Sequence, residues 1–215
     1  MPQLRAHNLS ISLDGYLAGP GQGSEHPLGV DGERLHEWIF ATRFGHGMMG
    51  EPGGETGIDN DAALAGEANV GATIMGRNMF GPVRGEWPDH SWTGWWGPNP
   101  PFHHDVFVLT HHSRPSVEMA GGTTFHFVDD TPRAVSNRAF EAAGGKDVRL
   151  GGGAATVRQF LREGLVDMLH LAVVPILLGG GERIFDDLGT LPGYECSEPV
   201  SSERVTHVRF TKVDA

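Results

Sequence analysis

The chain contains the stretch Val148-Arg149-Leu150-Gly151-Gly152-Gly153-Ala154-Ala155-Thr156, in which a short apolar strand runs through three consecutive glycines into the start of a helix. The first turn of a helix presents unpaired backbone N–H groups and a partial positive charge. Because glycine has no Cβ, an oxygen-rich group can come close to the main chain there. Each glycine within regular structure weakens folding by up to ~1 kcal/mol relative to alanine, so three in succession favour a ligand-binding role.

A second glycine turn lies in Ile74-Met75-Gly76-Arg77-Asn78-Met79-Phe80. Together, two such turns could hold a pyrophosphate from two sides, although Gly76 alone is also typical of an ordinary turn. The common nucleotide folds do not fit the sequence. The pattern Gly151-x-Gly153-x-x-Thr156 lacks the third glycine of the Rossmann fingerprint, and no lysine follows the glycines as it does in a P-loop.

The rest of the sequence alternates between strand and helix patterns. Apolar residues at every second position from Leu9 to Leu13 predict a half-buried strand that ends at the Asp14-Gly15 turn. Further strands are predicted over 72–75, 106–109, 123–128, 148–150, 166–174 and 205–213, and helices over 33–40, from a cap at Asn60 to 69, over 132–143 and around 157–165. This order predicts an α/β fold with helices on both faces of the sheet. We expect one domain, 1–215, with long loops at about 19–32, 45–58 and 81–103.

Composition limits the classes of partner. The chain has 215 residues, 39% hydrophobic and 20% charged, a balance that builds a folded core. Its 16 Lys and Arg are outnumbered by 27 Asp and Glu, and the net charge of −11 repels phosphate backbones, so we expect no nucleic-acid partner. No apolar run approaches the ~20 residues of a membrane span and no leader pattern opens the chain, so we expect no membrane partner and a cytoplasmic location. The single cysteine, Cys196, fits a reducing compartment and is predicted to be buried.

Several motifs, in this order and spacing, resemble the dihydrofolate reductase fold family: Ile74–Phe80, Leu109-Thr110-His111 and Gly151–Ala154. The branch of that family with the reductase domain of riboflavin biosynthesis is similar at Ser12–Ala18, Leu165–Asp167 and Val174–Gly181. The resemblance implies a three-layer α/β/α fold around a mostly parallel, eight-stranded sheet with an antiparallel C-terminal edge. It also implies an NADPH-dependent reductase of a small cyclic substrate, resembling dihydrofolate reductase and 5-amino-6-(5-phosphoribosylamino)uracil reductase, and a homodimer.

The resemblance places a set of residues at the cofactor. Arg77 would face the 2′-phosphate, and its planar guanidinium favours NADP over NAD. Some relatives also carry a basic residue after the triple glycine, where this chain has Ala154. Leu17 would line the nicotinamide. The other implied cofactor contacts are Gly76, Asn78, Thr110, His111, Gly151, Gly152, Gly153, Ala154, Ala155 and Thr156.

The resemblance also suggests residues at the substrate. Folate-reducing relatives carry a carboxylate three residues before a helix aromatic, whereas here Leu35 precedes the similar Trp38, which argues against dihydrofolate as the natural substrate. Trp38 and Glu37 are the expected substrate contacts on this helix. Asp14 resembles an aspartate of the riboflavin enzymes and is the candidate catalytic residue, as a proton donor or a substrate anchor. An Asp-Gly pair is equally typical of a plain turn.

Alternatives stay open for three features. The adjacent histidine pairs at 103–104 and 111–112 lack the helical spacing and carboxylate partner of a metal site, so no metal is expected. The tryptophans between Trp87 and Trp96 either roof a flat substrate or fill the core beneath a loop, and we favour the core. The apolar run Val166–Val174 adds support for the implied homodimer. A non-catalytic nucleotide-binding module on the same fold is the rival function.

Overall fold

The structure, a computed structural model, describes residues 1–190 and 193–213. Its strands are β1 Leu4–Ser12, β2 Tyr16–Ala18, β3 Val70–Gly76, β4 Asp105–Leu109, β5 Val117–Glu118, β6 Thr124–Val128, β7 Asp147–Gly152, β8 Met168–Val174, β9 Glu182–Arg183, β10 Tyr194–Cys196, β11 Val200–Ser201 and β12 Thr206–Lys212. Its α-helices are α1 Glu37–Phe40, α2 Arg43–Met48, α3 Ile58–Glu67, α4 Arg77–Phe80, α5 Pro132–Ala142 and α6 Ala154–Arg162, and 3₁₀ turns cover Gly32–His36 and Ala120–Gly122. Within these residues, no helix combines the length and the apolar character needed to cross a bilayer.

Ten strands form one sheet in the order β10-β12-β8-β1-β7-β3-β4-β6-β5, with β11 paired to β12. The strands from β8 to β6 in this order are parallel to one another, whereas β12 and β10 form an antiparallel C-terminal edge. The predicted α/β fold is therefore confirmed. The sheet has more strands than the implied eight because it includes β5 and β11, of two residues each. β2 and β9 form a separate pair.

Apolar residues pack on both faces of the sheet. On one face, α5 and α6 contribute to the main core, in which Val157 and Phe160 are fully buried. On the other face, α1 and α3 pack beside β8, and the tryptophan-rich loop packs beside β4 and β6. Trp87, Trp92 and Trp96 of this loop lie against the aromatic cluster of β6. The loop predicted over 81–103 is irregular chain, and these three tryptophans pack against the core, as favoured from the sequence, whereas Trp95 is not part of this cluster.

A layer of buried histidines lies on this second face, beside the apolar cluster of α1 and α3. His7 and His170 are each 2% exposed, and their ring centroids are 4.4 Å apart. Nε2 of His170 is 3.1 Å from Nδ1 of His207, and Nε2 of His207 is 3.0 Å from Oδ1 of Asp59. These contacts join α3 to β8 and β12. Within the described part of the chain, neither ring nitrogen of His7 has a hydrogen-bond partner.

β1 is not the half-buried strand that the alternation of its residues predicts. It lies between β8 and β7 and is buried on both faces along nearly its whole length. Its serines are polar but satisfied internally, since Trp38 Nε1 donates to Ser10 Oγ (2.9 Å) and the Tyr16 N–H donates to Ser12 Oγ (3.0 Å). Serines that form hydrogen bonds inside a central strand thus produce the same alternation of apolar and polar residues as a strand with one face in solvent.

Two predictions for the segment between β2 and β3 are wrong in detail. The helix predicted over 33–40 is divided into a 3₁₀ turn and α1, which begins at Glu37. The loop predicted at 45–58 contains part of α2. That helix forms because the Thr42 side chain accepts a hydrogen bond from the Gly45 N–H (3.0 Å) and caps it.

The start of α3 and the exposure of Cys196 also differ from the predictions. α3 begins directly after Gly57, so Asn60 lies inside the helix and does not cap it. The Asn60 Oδ1 atom instead accepts a hydrogen bond from the Phe44 N–H (3.0 Å), which joins α3 to α2. Cys196, predicted to be buried, is exposed on the edge strand β10.

β8, within the apolar run Val166–Val174, is an interior strand. It pairs with β1 on one side and with β12 on the other. Its apolar character is therefore explained by the fold and gives no support to self-association. The homodimer stays a prediction from the family resemblance, and light scattering after gel filtration tests it.

Candidate functional site

A cleft of about 730 Å³ opens at the carboxyl ends of the parallel strands. Its wall follows the sheet from β1 through β7 and β3 to β4 and β6, and β2, α6 and the loop after β2 complete it. In open α/β sheets, ligands bind at this end of the strands. The steps between these five strands span roughly 19 Å, so the cleft suits an elongated ligand.

The glycine turn between β7 and α6 lies in the middle of the cleft wall. α6 begins after Gly153, which has no side chain to cap the helix. The N–H groups of Ala154, Ala155 and Thr156 have no acceptor among the described residues, and all three residues line the cleft. A Cβ on Gly153 would meet no protein atom within 4 Å. This part of the wall is bare main chain with free donors, which suits an anionic group.

Gly151 and Gly152 line the same wall for other reasons. Gly152 has a φ of +129°, a conformation that only glycine adopts readily, and the peptide bond after it is cis. A Cβ on Gly151 would lie 3.3 Å from the end of the Met79 side chain. Of the three glycines, Gly153 is therefore the one at which a side chain would meet no protein atom, so the space in front of it is open to a ligand.

Gly76, predicted to let a ligand approach the main chain, is required by packing. A Cβ on Gly76 would lie 2.3 Å from Oγ1 of Thr156, so the end of β3 and the start of α6 touch because no side chain separates them. The helix that follows, α4, has only four residues, and few aligned peptides contribute to its dipole. The second glycine turn therefore shapes the cleft, which Gly76 also lines, without adding a second anion-binding helix end.

Arg77 brings a cation to the cleft wall. Its Nη1 donates to Thr110 Oγ1 (3.3 Å), and its guanidinium lies 3.8 Å from the centre of the Trp87 ring. Among the described residues, its Nε and Nη2 atoms have no acceptor and no carboxylate forms an ion pair with it. Burial, and then the nearby charge of Arg84, lower the pKa of Arg77, which still remains charged near neutral pH. Glu86 opposes this shift but forms no ion pair with Arg77, so the fixed cation can still attract an anionic ligand.

Arg114 lies behind Arg77 and was missed from the sequence. Its guanidinium lies 4.4 Å from the centre of the Trp87 ring, and its Nη2 donates to the Trp92 carbonyl (2.7 Å). Burial, and then the charge of Arg77, lower the pKa of Arg114. Although Arg114 does not line the cleft, it adds positive potential beside Arg77. The two residues are distant in sequence, and only the packing of the tryptophan-rich loop brings them to one indole ring.

Three other residues predicted at the cofactor line the β4 end of the cleft. Thr110 is buried and holds Arg77, whereas Asn78 on α4 is exposed. His111 is also exposed, and its Nδ1 lies 2.9 Å from Oδ1 of Asp129. Asp129 follows β6 directly and lines the cleft, but it was not among the residues predicted from the sequence. Its position at the carboxyl end of a predicted strand was the signal for it.

The other end of the cleft, beside β1, β2 and α1, contains the predicted residue Leu17 but not Trp38 or Glu37. Trp38 is 1% exposed and packs against β8, and Glu37 is exposed next to a separate small pocket. His36 and Phe40 line the cleft in their place. The break between the 3₁₀ turn and α1 changes which side chains face the ligand space.

Asp14, the predicted catalytic residue, does not line the cleft. Its Oδ1 accepts hydrogen bonds from Ser12 Oγ (2.5 Å) and the Leu178 N–H (3.2 Å), and its Oδ2 accepts one from the Gly179 N–H (2.8 Å). The Ser12 hydroxyl, together with these amides, lowers the pKa of Asp14 to about 2. Such a carboxyl is ionised near neutral pH and is a poor proton donor there. Asp14 holds the loop after β8 against the end of β1.

The histidines at 103 and 104 contact other groups. His103 Nδ1 lies 2.8 Å from the Gly121 carbonyl, and His104 Nε2 lies 2.8 Å from Thr73 Oγ1. Among residues 1–190 and 193–213, no group of three or more His, Cys, Asp or Glu is arranged to hold a metal ion. The described site combines arginines, main-chain amides and neutral side chains with the carboxylates of Asp129, Asp130 and Glu182.

Comparison with solved structures shows the same fold in reductase-related proteins. The chain is similar to a candidate riboflavin biosynthesis protein from Shewanella sp. PV-4, with a TM-score of 0.64 and 19% identity over 98% of this chain and 99% of that one. RibD from Acinetobacter baumannii gives a TM-score of 0.57 and 18% identity over 99% of this chain and 58% of that one. Dihydrofolate reductase from Enterococcus faecalis, complexed with NADP(H) and RAB-propyl, gives a TM-score of 0.51 and 13% identity over 98% of this chain and 97% of that one.

Sequence comparison gives the family. No curated protein sequence matches the chain. The family model of the RibD C-terminal domain matches residues 6–213, nearly the whole chain. This match confirms the resemblance to the riboflavin branch of the dihydrofolate reductase fold. The chain belongs to the RibD C-terminal domain family.

Proposed function

We propose that the protein is an NADPH-dependent reductase that passes a hydride to a C=N, C=C or C=O bond of a small cyclic substrate. One observation carries this proposal: the free N–H groups at the start of α6 and the Arg77 guanidinium lie along a single cleft at the carboxyl ends of the strands. Family membership, and likeness to a dihydrofolate reductase complexed with NADP(H), support it.

In this proposal, the start of α6 holds the pyrophosphate of the cofactor. The N–H groups of Ala154, Ala155 and Thr156 would donate to phosphate oxygens, which reach the main chain because Gly153 has no side chain. The chain as a whole carries a net charge of −11 and repels an anionic ligand. Local main-chain donors and one or two arginines must therefore supply the attraction.

Arg77 would hold the 2′-phosphate and so favour NADPH over NADH. Thr110 fixes one edge of its guanidinium and Trp87 fixes one face, so little side-chain freedom is lost on binding. A guanidinium binds a phosphate through charge-assisted hydrogen bonds.

When bound, NADPH would supply a hydride to the electrophilic carbon of the substrate and become NADP⁺, and the neighbouring atom would take its proton from water. Leu17 would line the nicotinamide, and the substrate would occupy the space toward His36 and Phe40. The contribution of the protein is to hold the two rings in register and to limit the access of water. Asp14 is not proposed as the proton donor, because it lies outside the cleft wall and is ionised.

Calorimetric titration with NADPH and NADH tests the cofactor, and tryptophan fluorescence gives a second readout because Trp95 and Trp96 line the cleft. We expect NADPH to bind at least about tenfold more tightly than NADH. Failure of both to bind would contradict the proposal.

NADPH oxidation in the presence of pterin, pyrimidine and carbonyl compounds tests the reaction. If NADPH binds but no compound is reduced, the non-catalytic nucleotide-binding module replaces the reductase.

A further inference from the structure

We propose that the substrate is a flat ring compound without a phosphate or carboxylate group, and that His36 and Phe40 recognise it. This inference rests on the proposed function, because it concerns the ring that receives the hydride. By this inference, the substrate of the protein differs from that of a reductase that acts on a phosphorylated sugar derivative or on a molecule with a carboxylate tail. Such an anionic group would find no counter-charge in the part of the cleft next to β1, β2 and α1, which we call the β1 end.

The basic side chains of the cleft lie away from the β1 end. Arg77 follows β3, and Arg84 is close enough to it to lower its pKa. Among the described residues that line the β1 end, there is no lysine or arginine, and the charged side chain is the carboxylate of Glu182 on β9. A phosphate placed there would lose its hydration without gaining a cation, and it would face an acid.

Apolar side chains form much of the wall at the β1 end. Leu17 and Leu28 line it together with Phe40, the last residue of α1. Phe40 is 43% exposed, which is unusual for a large aromatic side chain unless it faces a ligand or a partner. Because Phe40 lines the cleft, its exposed ring is available to pack against a flat ligand.

His36 supplies a neutral polar group beside Phe40. The two residues are four positions apart, and their ring centroids are 6.3 Å apart. Nδ1 of His36 is buried and has no hydrogen-bond partner among the described residues. Burial lowers the pKa of His36 more than the Gly32 backbone raises it, so its imidazole is neutral near pH 7. The ring nitrogen that is not buried, Nε2, can offer either a donor or an acceptor to a ligand.

A neutral imidazole suits the carbonyl and N–H edge of an uncharged heterocycle better than it suits a phosphate. Ser10 and Gln22 also line the β1 end and are neutral, and each already forms one hydrogen bond within the protein, to Trp38 and to the Pro27 carbonyl respectively. The β1 end therefore combines an aromatic face, apolar walls and neutral polar groups. This combination fits a small uncharged ring and offers nothing to bind an anionic tail.

Calorimetry on the protein saturated with NADP⁺ tests the inference with two matched pairs of compounds. The first pair is 5-amino-6-ribosylaminouracil and its 5′-phosphate, and the second is 6-methyl-7,8-dihydropterin and dihydrofolate, which carries a glutamate tail. We expect at least one uncharged member to bind, and to bind about tenfold or more tightly than its anionic partner. Tighter or equal binding of the anionic members, or no binding of any member, would overturn the inference. Failure of NADP⁺ to bind in the first step would instead contradict the proposed function.

Substitutions at the β1 end provide a second test. His36→Arg introduces the missing cation and should shift the preference of the first pair toward the phosphate by about tenfold, whereas His36→Gln should leave it unchanged. Phe40→Ala should weaken the uncharged compounds about tenfold without changing the Kd of NADP⁺. Glu33→Gln, an exposed change in the same 3₁₀ turn, is the control. An unaltered preference in a folded His36→Arg protein would contradict the role of His36, and the comparison of pairs on the wild-type protein remains decisive if that variant does not fold.

Discussion

Arg77 and His7 both bury nitrogen atoms without hydrogen-bond partners among the described residues, but their surroundings differ. Arg77 lines the cleft and keeps its charge. His7 is 2% exposed and lies away from the cleft, and burial, helped by the charge of Arg5, lowers its pKa to about 3. His7 is therefore neutral in the folded protein. An unpaired group that stays charged and also lines a cleft therefore marks a ligand site, whereas one that becomes neutral is a structural feature. Arg114 also has unpaired nitrogens but does not line the cleft, so position in the cleft is part of the criterion.

The contacts of the histidine layer are consistent with neutral rings at His7 and His170. The Asn8 N–H donates to Nδ1 of His170 (3.2 Å), so the proton of neutral His170 lies on Nε2 and can be donated to Nδ1 of His207. His207 can then donate from Nε2 to Asp59. Burial lowers the pKa of His170 to about 2, and a positive charge on His7 would lower it in the same direction. The stability of the histidine layer therefore depends on pH, whereas the charge of Arg77 does not.

The largest expected effect concerns stability in acid. Below the ordinary pKa of 6.5, His7 and His170 of the unfolded chain bind protons that the folded protein does not bind. The free energy of unfolding is therefore unaffected by these groups above pH 6.5 and falls as the pH drops from 6.5 toward 3. At about 1.4 kcal/mol per pH unit for each histidine, roughly 5 kcal/mol is lost between about pH 6.5 and pH 4.5. Urea unfolding at a series of pH values measures this loss.

His7→Leu sharpens this prediction. It should remove about half of the pH dependence from the two histidines and should not lower stability at pH 7, because the nitrogens it removes have no partners. His90→Gln, at an exposed position, is the control and should leave the curve unchanged. A wild-type protein whose stability stays constant down to about pH 4.5 would show that these rings are protonated when folded.

The next effect concerns the bare main chain at α6. Gly153→Leu should weaken NADPH binding about 100-fold, because the new side chain fills space in front of the free N–H groups, and Gly153→Ala should have a smaller effect. Loss of the glycine before α6 should cost about 1 kcal/mol of stability or less. Gly47→Leu is a matched control, since a Cβ there also meets open space but lies away from the cleft. Calorimetry and thermal unfolding measure both quantities, and unchanged affinity in a folded Gly153→Leu protein would refute the proposed contact. Gly152 is unsuitable for this test, because any side chain at its φ of +129° strains the backbone.

A smaller effect is expected at the cation. Arg77→Ala should weaken NADPH about 10- to 30-fold, because it removes a charge-assisted contact to the 2′-phosphate, and it should change NADH affinity by less than about twofold. Arg133→Ala, an exposed change on α5, should affect neither cofactor. Equal losses for NADPH and NADH would move Arg77 from the 2′-phosphate to a part that the two cofactors share.

The smallest effect is expected at Asp14. Asp14→Asn should change kcat and KM by no more than about threefold, because the side chain lies outside the cleft wall and holds a turn. Steady-state kinetics with the best substrate found tests this. A loss of about 100-fold in kcat with normal NADPH binding would return Asp14 to the reaction.

The sequence was sufficient to predict those parts of the site that are formed by residues adjacent in the chain. The alternation of strands and helices predicted the α/β fold, and the order strand, glycines, helix located the start of α6 without any tertiary information. Arg77 and Thr110 were found through the family resemblance, and both line the cleft. The reason for Gly76 was not predictable, because its contact with Thr156 joins two distant segments.

The substrate side of the cleft was not predictable, because it depends on where helices break and how loops pack. The predicted helix through Trp38 is continuous, whereas the real chain changes helix type before Glu37, so His36 and Phe40 reach the cleft instead. Arg114 and Arg77 belong to distant segments of the chain, and they come together only because both pack against the Trp87 ring. Periodicity in sequence carries no information about such contacts.

An NMR titration of ¹⁵N-labelled protein with NADP⁺ tests the role of the α6 amides most directly, because it follows each N–H group separately. We expect the amides of Ala154, Ala155 and Thr156 to show the largest shifts, with their protons moving downfield as they bond to phosphate oxygens. Shifts confined to the β4 end of the cleft, with these three amides unmoved at saturation, would contradict the claim that bare main chain binds the pyrophosphate.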